Sequence, residues 1–163
     1  MNLDNCVALV TGGNRGIGEA FVRVLLAEKG AARVYVGSRD RSSAAHLEQE
    51  FPGRCVAIEL DVTDAAEIAA AAAGCPDVNL LINNAGLFTN IELKPFEQIE
   101  SAEWDRVMAV NVRGVFECCK AVVPDMRRRQ YGKIINIASG TVFKGTPMLL
   151  HYVSSKGAVV AFS

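Results

Sequence analysis

Short runs of β-branched and other apolar residues alternate with longer stretches of helical character along this 163-residue chain. The runs are apolar at consecutive positions, which is typical of strands that crossover helices bury on both faces. Repeated alternation of strand and helix predicts a doubly wound α/β fold, with a parallel sheet, right-handed crossovers and helices on both sides. Five strands are predicted, at Cys6–Val10, Arg33–Val36, Cys55–Leu60, Asn79–Ile82 and Lys133–Ile137.

The stretches between the strands carry the start and stop signals of helices. Gly30 follows the first stretch, where glycine commonly stands just past a helix end, and Thr63 or Asp64 can cap an alanine-rich stretch. Pro124 lies near the end of the longest stretch, and a kink or break is expected there because proline lacks the N–H of a helical hydrogen bond. The predicted helices are Ile17–Lys29, Ser42–Glu50, Ala65–Ala73, Ser101–Arg129 and His151–Ser163.

Length and composition favour one folded domain, residues 1–163, with a sizeable core. Hydrophobic residues make up 50% of the chain, and the net charge is −1. So small a charge gives no overall attraction to nucleic acid or to an anionic membrane surface, and neither is expected as a partner. The dense basic run Arg127–Arg129 is interpreted as a solvated helix C-terminus, where cations complement the helix dipole.

The five cysteines form no C-x-x-C pair, and their odd number argues against a disulfide framework and against a zinc or other metal site. Small thiols that fill the core are the expected role, in a reducing compartment such as the cytoplasm. The first residues show no signal-peptide pattern, and no apolar run is long enough to span a bilayer. The cysteines are Cys6, Cys55, Cys75, Cys118 and Cys119.

A glycine-rich turn, Thr11–Gly18, joins the first predicted strand to the first predicted helix with the spacing G-x-x-x-G-x-G. Glycine allows a tight turn, a close approach of the backbone to a pyrophosphate and close packing of helix on strand, while the helix N-terminus offers unpaired N–H groups to the anion. A plain tight turn is the alternative, but the position between strand and helix favours a dinucleotide site. The predicted contacts are Gly12, Asn14, Arg15, Gly16, Ile17 and Gly18.

The end of the second predicted strand indicates which dinucleotide is bound. It reads Gly37-Ser38-Arg39, where an NAD site usually has an acidic residue for the ribose hydroxyls. Arg39 and Arg15 can instead hold a 2′-phosphate, with a hydroxyl group from Ser38. Hydrogen bonds to charged groups contribute about 1.5–3 kcal/mol each, enough to favour NADP(H) over NAD(H). The alternative is that Arg39 pairs with Asp40 or is solvated.

Tyr152 and Lys156 are four residues apart on the last predicted helix and therefore share a face. A nearby ammonium favours the phenolate form of a tyrosine, which suits proton exchange with an alcohol or a developing alkoxide. Ser139 follows the fifth predicted strand, at the sheet edge where ligands bind, and can donate to a substrate carbonyl; a turn-forming serine is the alternative. Adjacent residues of a helix face about 100° apart, so a structural or surface role is expected for His151.

Six short segments stand in a characteristic order and spacing. They are TGGNRGIG (Thr11–Gly18), LDVTD (Leu60–Asp64), NNAG (Asn83–Gly86), Asn111 within MAVNVRG, IINIAS (Ile134–Ser139) and YVSSK (Tyr152–Lys156). Together they resemble the short-chain dehydrogenase/reductase family over essentially the whole chain. The resemblance implies a Rossmann-like fold and hydride transfer between nicotinamide C4 and the carbonyl or alcohol carbon of a small-molecule substrate.

The resemblance also implies a role for each matching residue. Tyr152 would be the acid–base, and Lys156 would favour its phenolate and hold the nicotinamide ribose. Ser139 would orient and polarise the substrate carbonyl, and Asn111 would anchor a water relay to Lys156. The other implied cofactor contacts are Asp61 and Val62 at the adenine, and Asn83, Ala85 and Gly86 along the adenosine and ribose.

The family normally continues beyond the helix that carries Tyr152 and Lys156, so C-terminal elements, including most of the substrate lid, are expected to be missing. The sheet edge at the fifth strand would then be uncovered, and the helices that pair in the family's usual dimer or tetramer would be exposed. A nucleotide-binding module or fragment without turnover is the alternative function, although it has no need of the four catalytic side chains together. Four apolar residues either wall a substrate pocket or belong to core or interface: Phe143, Met148, Leu149 and Leu150.

Overall fold

All five predicted strands are present, each within two residues of its predicted bounds, in a computed structural model that describes residues 3–89 and 91–163. They are β1 Val7–Thr11, β2 Arg33–Ser38, β3 Cys55–Glu59, β4 Leu80–Asn83 and β5 Lys133–Asn136. They form a parallel sheet in the order β3-β2-β1-β4-β5, so that the chain moves outward from β1 to one edge and then to the other. Such a reversal opens a crevice at the carboxyl ends of β1 and β4, where doubly wound sheets bind ligands.

The strand register brings the predicted motifs to one edge of the sheet. Thr11 at the end of β1 is paired with Gly37 of β2, and Asn83 at the end of β4 is paired with Asn136 of β5. The glycine turn, the residues after β2 and the segments after β4 and β5 therefore leave the sheet side by side.

Apolar side chains pack on both faces of the sheet, which explains the continuous apolar runs. In β1, Ala8 and Val10 enter one buried cluster, whereas Leu9 enters another on the opposite face. The five cysteines are free and buried in these clusters, as predicted for core-filling thiols.

Helices connect successive strands, as predicted. The third of them, α3 (Ala65–Gly74), is capped by Asp64, whose carboxylate accepts hydrogen bonds from the backbone N–H groups of Ala66 and Glu67, so the aspartate rather than Thr63 is the cap. A short helix, α6 (Thr141–Lys144), and a 3₁₀ turn at Phe96–Gln98 were not predicted. The α-helices of the described chain are α1 Gly16–Arg23, α2 Ala45–Glu50, α3 Ala65–Gly74, α4 Ser101–Met108, α5 Gly114–Arg128, α6 Thr141–Lys144 and α7 Leu150–Phe162.

Two of the predicted helices contain a π-helical segment that no sequence signal indicated. The first, Val24–Glu28, follows α1 and ends shortly before Gly30, whose φ of 64° is typical of glycine past a helix end. The second, Ala109–Arg113, joins α4 to α5 and carries Asn111. A π segment inserts an extra residue into a helical turn and is frequent at functional sites.

The structure refines the prediction for the end of the long helix at two points. Of the kink or break expected at Pro124, the break does not occur, because proline removes only one hydrogen bond while side chains such as Val122 hold this part of α5 on the sheet. The side chain of Arg129 is also not simply solvated. Its guanidinium donates to the backbone carbonyls of Pro76 and Val78, which fixes the end of α5 near the start of β4.

The β5 strand lies at an edge of the sheet and, among the residues described, pairs with β4. Lys133 and Ile135 are exposed along it. Within residues 3–89 and 91–163, no helix has both the length and the apolar character needed to cross a membrane.

Candidate active site

The glycine turn between β1 and α1 requires glycine for two different reasons. Gly12 and Gly16 have φ of 62° and 57°, a conformation that other residues rarely adopt. A Cβ at Gly18 would lie 2.2 Å from the carbonyl oxygen of Gly12 and 2.5 Å from Nδ2 of Asn84, so α1 approaches the turn very closely. The N-cap of α1, Arg15, makes no side-chain capping hydrogen bond. The turn and the N-terminus of α1 therefore fit a pyrophosphate group.

Thr11 and Asn84 fasten this turn to the end of β4, and neither was predicted as a separate site residue. The Thr11 hydroxyl oxygen accepts hydrogen bonds from the backbone N–H groups of Asn84 and Ala85, at 3.1 and 3.0 Å. The Asn84 side-chain amide donates to the carbonyls of Thr11 and Gly12, both at 3.0 Å. The turn is therefore held in place by the segment that follows β4.

The side chain of Asn83, predicted to line the cofactor, points away from the turn. Its Nδ2 donates to Oδ1 of Asn136 at 2.8 Å and to Sγ of Cys119 at 3.2 Å, and the residue is 3% exposed. Adjacent residues of a strand face opposite sides, so Asn84 reaches the turn while Asn83 reaches β5 and α5. The Asn83 side chain is thus held within the sheet while that of Asn84 fastens the turn, and strand alternation is the sequence signal that separates the two.

The remaining predicted residues of the turn lie at its outer side. Arg15 is exposed, and Ile17 is 66% exposed. The Asn14 side-chain amide donates to Oγ of Ser43 at 3.0 Å, and this hydroxyl lies 3.4 Å from Oγ of Ser38. Ser43, which was not predicted, therefore connects the glycine turn to the end of β2.

Arg39 is exposed immediately after β2, and its charge acts on Asp61. Burial alone would raise the pKa of Asp61, but hydrogen bonds from the N–H and hydroxyl of Thr63, together with the charge of Arg39, hold that pKa below its usual value. The Asp40 carboxylate is engaged elsewhere. It accepts from the hydroxyl and N–H of Ser42, at 2.6 and 2.9 Å, which lowers the pKa of Asp40.

Asp61 and Val62 leave β3 in a turn that two helices hold. The N–H of Asp61 donates to Oε2 of Glu67 in α3 at 2.6 Å. Val62 is 9% exposed and packs on the start of α5, where a Cβ at Gly114 would lie 2.9 Å from the Val62 carbonyl oxygen. Both residues therefore lie near the carboxyl edge of the sheet, on the side of β2 and Arg39.

Asn111 is fully buried and connects its π segment to two other parts of the chain. Its Oδ1 accepts from the N–H of Leu87 at 2.7 Å, and its Nδ2 donates to the Leu87 carbonyl at 3.2 Å and to Oγ of Ser155 at 3.0 Å. Ser155, which was not predicted, donates in turn to the carbonyl of Tyr152 at 2.7 Å. Nothing in the sequence distinguished Ser155 from the neighbouring Ser154.

Lys156 is 5% exposed, and its hydrogen-bond acceptor is a neutral group rather than a carboxylate. Its Nζ donates to the carbonyl of Ile137 at 2.7 Å, just beyond the end of β5. Burial lowers the pKa of Lys156, because loss of hydration disfavours the charged form. A Cβ at Gly86 would lie 3.6 Å from this Nζ and 3.5 Å from Oδ1 of Asn111, so the three predicted residues converge.

Tyr152 lies one helical turn before Lys156 on α7 and is 8% exposed. Its ring packs on that of Phe88, with centroids 4.9 Å apart and planes inclined at 49°. Phe88 lies shortly after β4, and 55% of it is exposed. An aromatic side chain therefore covers one side of the tyrosine and still faces solvent.

Ser139 lies on the chain leaving β5, two residues after the carbonyl that Lys156 contacts. Its hydroxyl oxygen accepts from the hydroxyl and N–H of Thr141, at 2.9 and 3.3 Å. The local contact is that of a turn-forming serine, while the position at the carboxyl edge is that of the predicted substrate contact.

The four apolar residues before Tyr152 do not share one environment. Leu149 is 6% exposed, whereas Phe143 is 81% exposed. Met148 and Leu150 are about half exposed and border an open, mainly apolar groove of about 510 Å³. Its other lining residues include Pro95, Phe96 and Val153.

Comparisons with known proteins show the family of the chain. The family model described as short chain dehydrogenase matches residues 6–163. The chain is similar to a 3-oxoacyl-[acyl-carrier-protein] reductase FabG of Staphylococcus aureus, with 35% identity over an alignment of 164 positions. The alignment covers 96% of this chain and 65% of that protein. It is also similar to a sorbitol dehydrogenase of Cereibacter sphaeroides, with 36% identity over an alignment of 168 positions that covers 100% of this chain and 64% of that protein. The chain thus spans about 65% of the length of these relatives.

Solved structures share the fold of the chain. A short-chain dehydrogenase from Streptomyces avermitilis has a TM-score of 0.90 and 30% identity, and the match covers 98% of this chain and 58% of that one. A gluconate 5-dehydrogenase from Burkholderia cenocepacia, in complex with NADP and tartrate, has a TM-score of 0.88 and 34% identity over 98% of this chain and 63% of its own. With its Rossmann-like sheet, its glycine turn and a family match over nearly its whole length, this chain belongs to the short-chain dehydrogenase family.

Proposed function

We propose that the complete protein transfers a hydride between NADP(H) and a carbonyl or secondary alcohol substrate, with Tyr152 as the acid–base. One observation carries the proposal. Gly86, Asn111 and Lys156 converge, and Lys156 lies one helical turn after Tyr152 on α7. A buried lysine with a neutral acceptor is unfavourable for folding, which is typical of a group retained for function.

When bound, the nicotinamide cofactor would supply the hydride in reduction and accept it in oxidation. In the direction of reduction, the Tyr152 hydroxyl gives its proton to the carbonyl oxygen as that oxygen becomes an alkoxide. The ammonium of Lys156 stabilises the phenolate that remains, and the Ser139 hydroxyl donates to the same substrate oxygen. In the direction of oxidation, Tyr152 accepts the proton of the alcohol. Asn111 holds α7 through Ser155 and, in this proposal, anchors water that leads to Lys156.

A preference for NADP(H) is supported by charge at the end of β2. Arg39 is exposed just after β2, and Arg15 is exposed in the glycine turn. Ser38, at the end of β2, is 6% exposed, and its hydroxyl donates to the Asp40 carbonyl at 2.8 Å. No acidic side chain stands in the stretch Gly37–Arg39 for ribose hydroxyls. Three of the structurally similar proteins were solved with NADP, a metagenomic short-chain oxidoreductase and two proteins from Burkholderia cenocepacia.

The proposed chemistry is tested by NADPH oxidation against a panel of aldehydes and ketones, with Tyr152→Phe as the variant. Loss of the phenolic proton is expected to lower kcat by about 10²–10⁴-fold, with NADPH binding little changed. Tyr131→Phe is the matched control, because Tyr131 is 50% exposed and follows α5, and its rate is expected to equal that of the wild type. Equal rates for Tyr152→Phe would remove Tyr152 from the mechanism. Tight NADPH binding without turnover in the wild type would favour a nucleotide-binding module instead.

The cofactor preference is tested by measuring NADPH and NADH dissociation constants for Arg39→Ala. Loss of one charged hydrogen bond is expected to weaken NADPH binding by about 10–100-fold and to leave NADH binding nearly unchanged. Arg127→Ala removes an exposed arginine from the end of α5 and serves as the control. If both cofactors bind to Arg39→Ala as they do to the wild type, Arg39 does not hold a 2′-phosphate.

A further inference from the structure

Three polar side chains form a chain of contacts that leads to the residue before Tyr152. Nζ of Lys94 lies 2.8 Å from Oε2 of Glu103, and Oε1 of the same carboxylate lies 3.2 Å from Nε2 of His151. The side chains of Lys94, Glu103 and His151 are 18%, 13% and 0% exposed, so the contacts are largely shielded from water. Lys94 precedes α4, Glu103 belongs to α4, and His151 lies in the first turn of α7.

The charges of Lys94 and Glu103 show which atom carries the hydrogen between Glu103 and His151. The hydrogen bond from Lys94 holds the pKa of Glu103 below its usual value, and Glu103 raises the pKa of Lys94. A carboxylate only accepts hydrogen bonds, so the hydrogen between the two side chains belongs to Nε2 of His151. Nδ1 of His151 is buried and has no hydrogen-bond partner among the described residues. The orientation of the imidazole therefore depends on Glu103.

The first turn of α7 depends on contacts with other parts of the chain. Leu149, at its N-cap, makes no side-chain capping hydrogen bond. Just before it, the carbonyl of Met148 accepts from the backbone N–H of Lys94 at 3.1 Å. Lys94 thus binds the start of α7 through its backbone and, by way of Glu103, through its side chain. Phe88, which packs on Tyr152, lies on the same connection between β4 and α4.

We propose that Lys94, Glu103 and His151 are positioning residues, which fix the first turn of α7 and with it the phenol of Tyr152. The inference rests on the proposed function, in which Tyr152 is the acid–base. Apolar side chains of similar volume often stabilise a core as well as a buried ion pair does, so packing alone does not call for three such residues. A reacting group misplaced by about 1 Å can lose about 10²-fold in rate, which gives a reason to fix its orientation.

His151→Ala tests the proposal against the matched control His46→Ala, which removes a half-exposed histidine from α2. We expect His151→Ala to lower kcat by about tenfold or more while the NADPH dissociation constant stays within about twofold of the wild-type value. His151→Gln keeps an N–H donor for Glu103, and we expect it to recover most of kcat. In the double variant with Glu103→Gln, kcat is expected to fall no further than in His151→Ala alone, because both changes remove one shared contact.

A merely structural role gives a different result. In that case His151→Ala lowers Tm, but its kcat remains within about twofold of the wild-type value at temperatures where the variant is folded. That outcome overturns the proposal, as does a His151→Gln variant no better than His151→Ala.

Native-state amide hydrogen exchange gives a readout that does not need turnover. In His151→Ala we expect faster exchange confined to the first turns of α7, including the N–H of Val153, which donates to the Leu149 carbonyl at 2.9 Å. Uniform acceleration over the whole chain, or none, overturns the proposal. If the wild type reduces no carbonyl, the proposed function fails, while acceleration confined to α7 still supports the positioning of this turn by His151.

Discussion

Gly18 and Gly16 show that two glycines of one turn can be required for unrelated reasons. At Gly18 there is no room, because a Cβ would lie 2.2 Å from the Gly12 carbonyl oxygen. At Gly16 there is room, with nothing within 4 Å of the Cβ position, but φ is 57°. The sequence pattern predicts that the turn needs glycine, and only the contacts separate steric need from conformational need.

Gly18→Ala is expected to separate α1 from the turn. Overpacking of this kind lowers the free energy of unfolding by about 1–3 kcal/mol, and NADPH binding is expected to be lost with the phosphate contacts. Urea unfolding and a titration of NADPH fluorescence measure the two effects. Gly74→Ala at the end of α3 is the control, because a Cβ there has nothing within 4 Å, and its effect should stay below about 0.5 kcal/mol. Identical behaviour of the two variants would contradict the close approach at Gly18.

Lys156 makes folding depend on pH in a direction that can be calculated. Its pKa is lowered from 10.5 in the folded chain, so between the two pKa values the unfolded chain binds more protons. The penalty for burying the ammonium is complete below the lowered pKa and disappears as the pH rises through 10.5. The wild type should therefore gain stability relative to Lys156→Met as the pH is raised from about 7 toward about 10.

Urea unfolding of both proteins across this pH range measures the difference. Lys29→Met, which removes an exposed lysine, is the control for the loss of one positive charge. A stability difference between the wild type and Lys156→Met that does not change with pH would show that the pKa of Lys156 is not lowered by folding.

Elements whose signals are local follow closely from the sequence, whereas the π segments do not. The strand at β1 is marked by its own apolar run, and α3 is marked by a capping aspartate and a run of alanines. The π segment that carries Asn111 has no such mark, because it depends on contacts with Leu87 and Ser155 that lie far away in the sequence. The sequence therefore indicates Asn111 as an unusual helix residue without indicating how the helix accommodates it.

Asp64→Ala is expected to weaken α3 at its N-terminus. The carboxylate accepts from the N–H groups of Ala66 and Glu67, at 2.7 and 3.1 Å, and loss of such a cap lowers the free energy of unfolding by about 1 kcal/mol. Asp64→Asn retains an oxygen acceptor and should recover most of this loss. Denaturant unfolding of the two variants provides the measurement, and equal losses would mean that charge rather than capping stabilises the helix.

At the scale of the whole molecule, the sequence predicts a parallel sheet and leaves the order of the strands open. The order β3-β2-β1-β4-β5 arises from pairing between strands such as β1 and β4, which are separated by more than sixty residues. The same pairing brings Asn84 to Thr11 and so completes the glycine turn. The contacts of Asn84 depend on this pairing, and for this reason the sequence alone does not single it out.

The buried thiols should report unfolding of the whole domain. Burial raises the pKa of Cys55 and Cys75 to about 11 and that of Cys118 to about 12, so little thiolate exists at pH 8. Reaction of the native protein with a disulfide reagent such as DTNB is expected to be slow, and all five thiols should react together once urea unfolds the chain. Ser42→Cys introduces an exposed thiol that should react at once. Rapid native reaction of one or more of the original cysteines would show that part of the core opens separately.

Residues 84–87 form a short stretch that is held at both ends. At one end the side chain of Asn84 is joined to the glycine turn, and at the other end Leu87 is joined to Asn111. An extended chain covers at most about 3.5 Å per residue, so this stretch is a spacer of at most about 14 Å. Covalent bond lengths, rather than the packing of helices on the sheet, therefore limit how far the glycine turn can lie from the buried Asn111. Core substitutions should accordingly reduce the fraction of folded molecules well before they alter the span between the two ends.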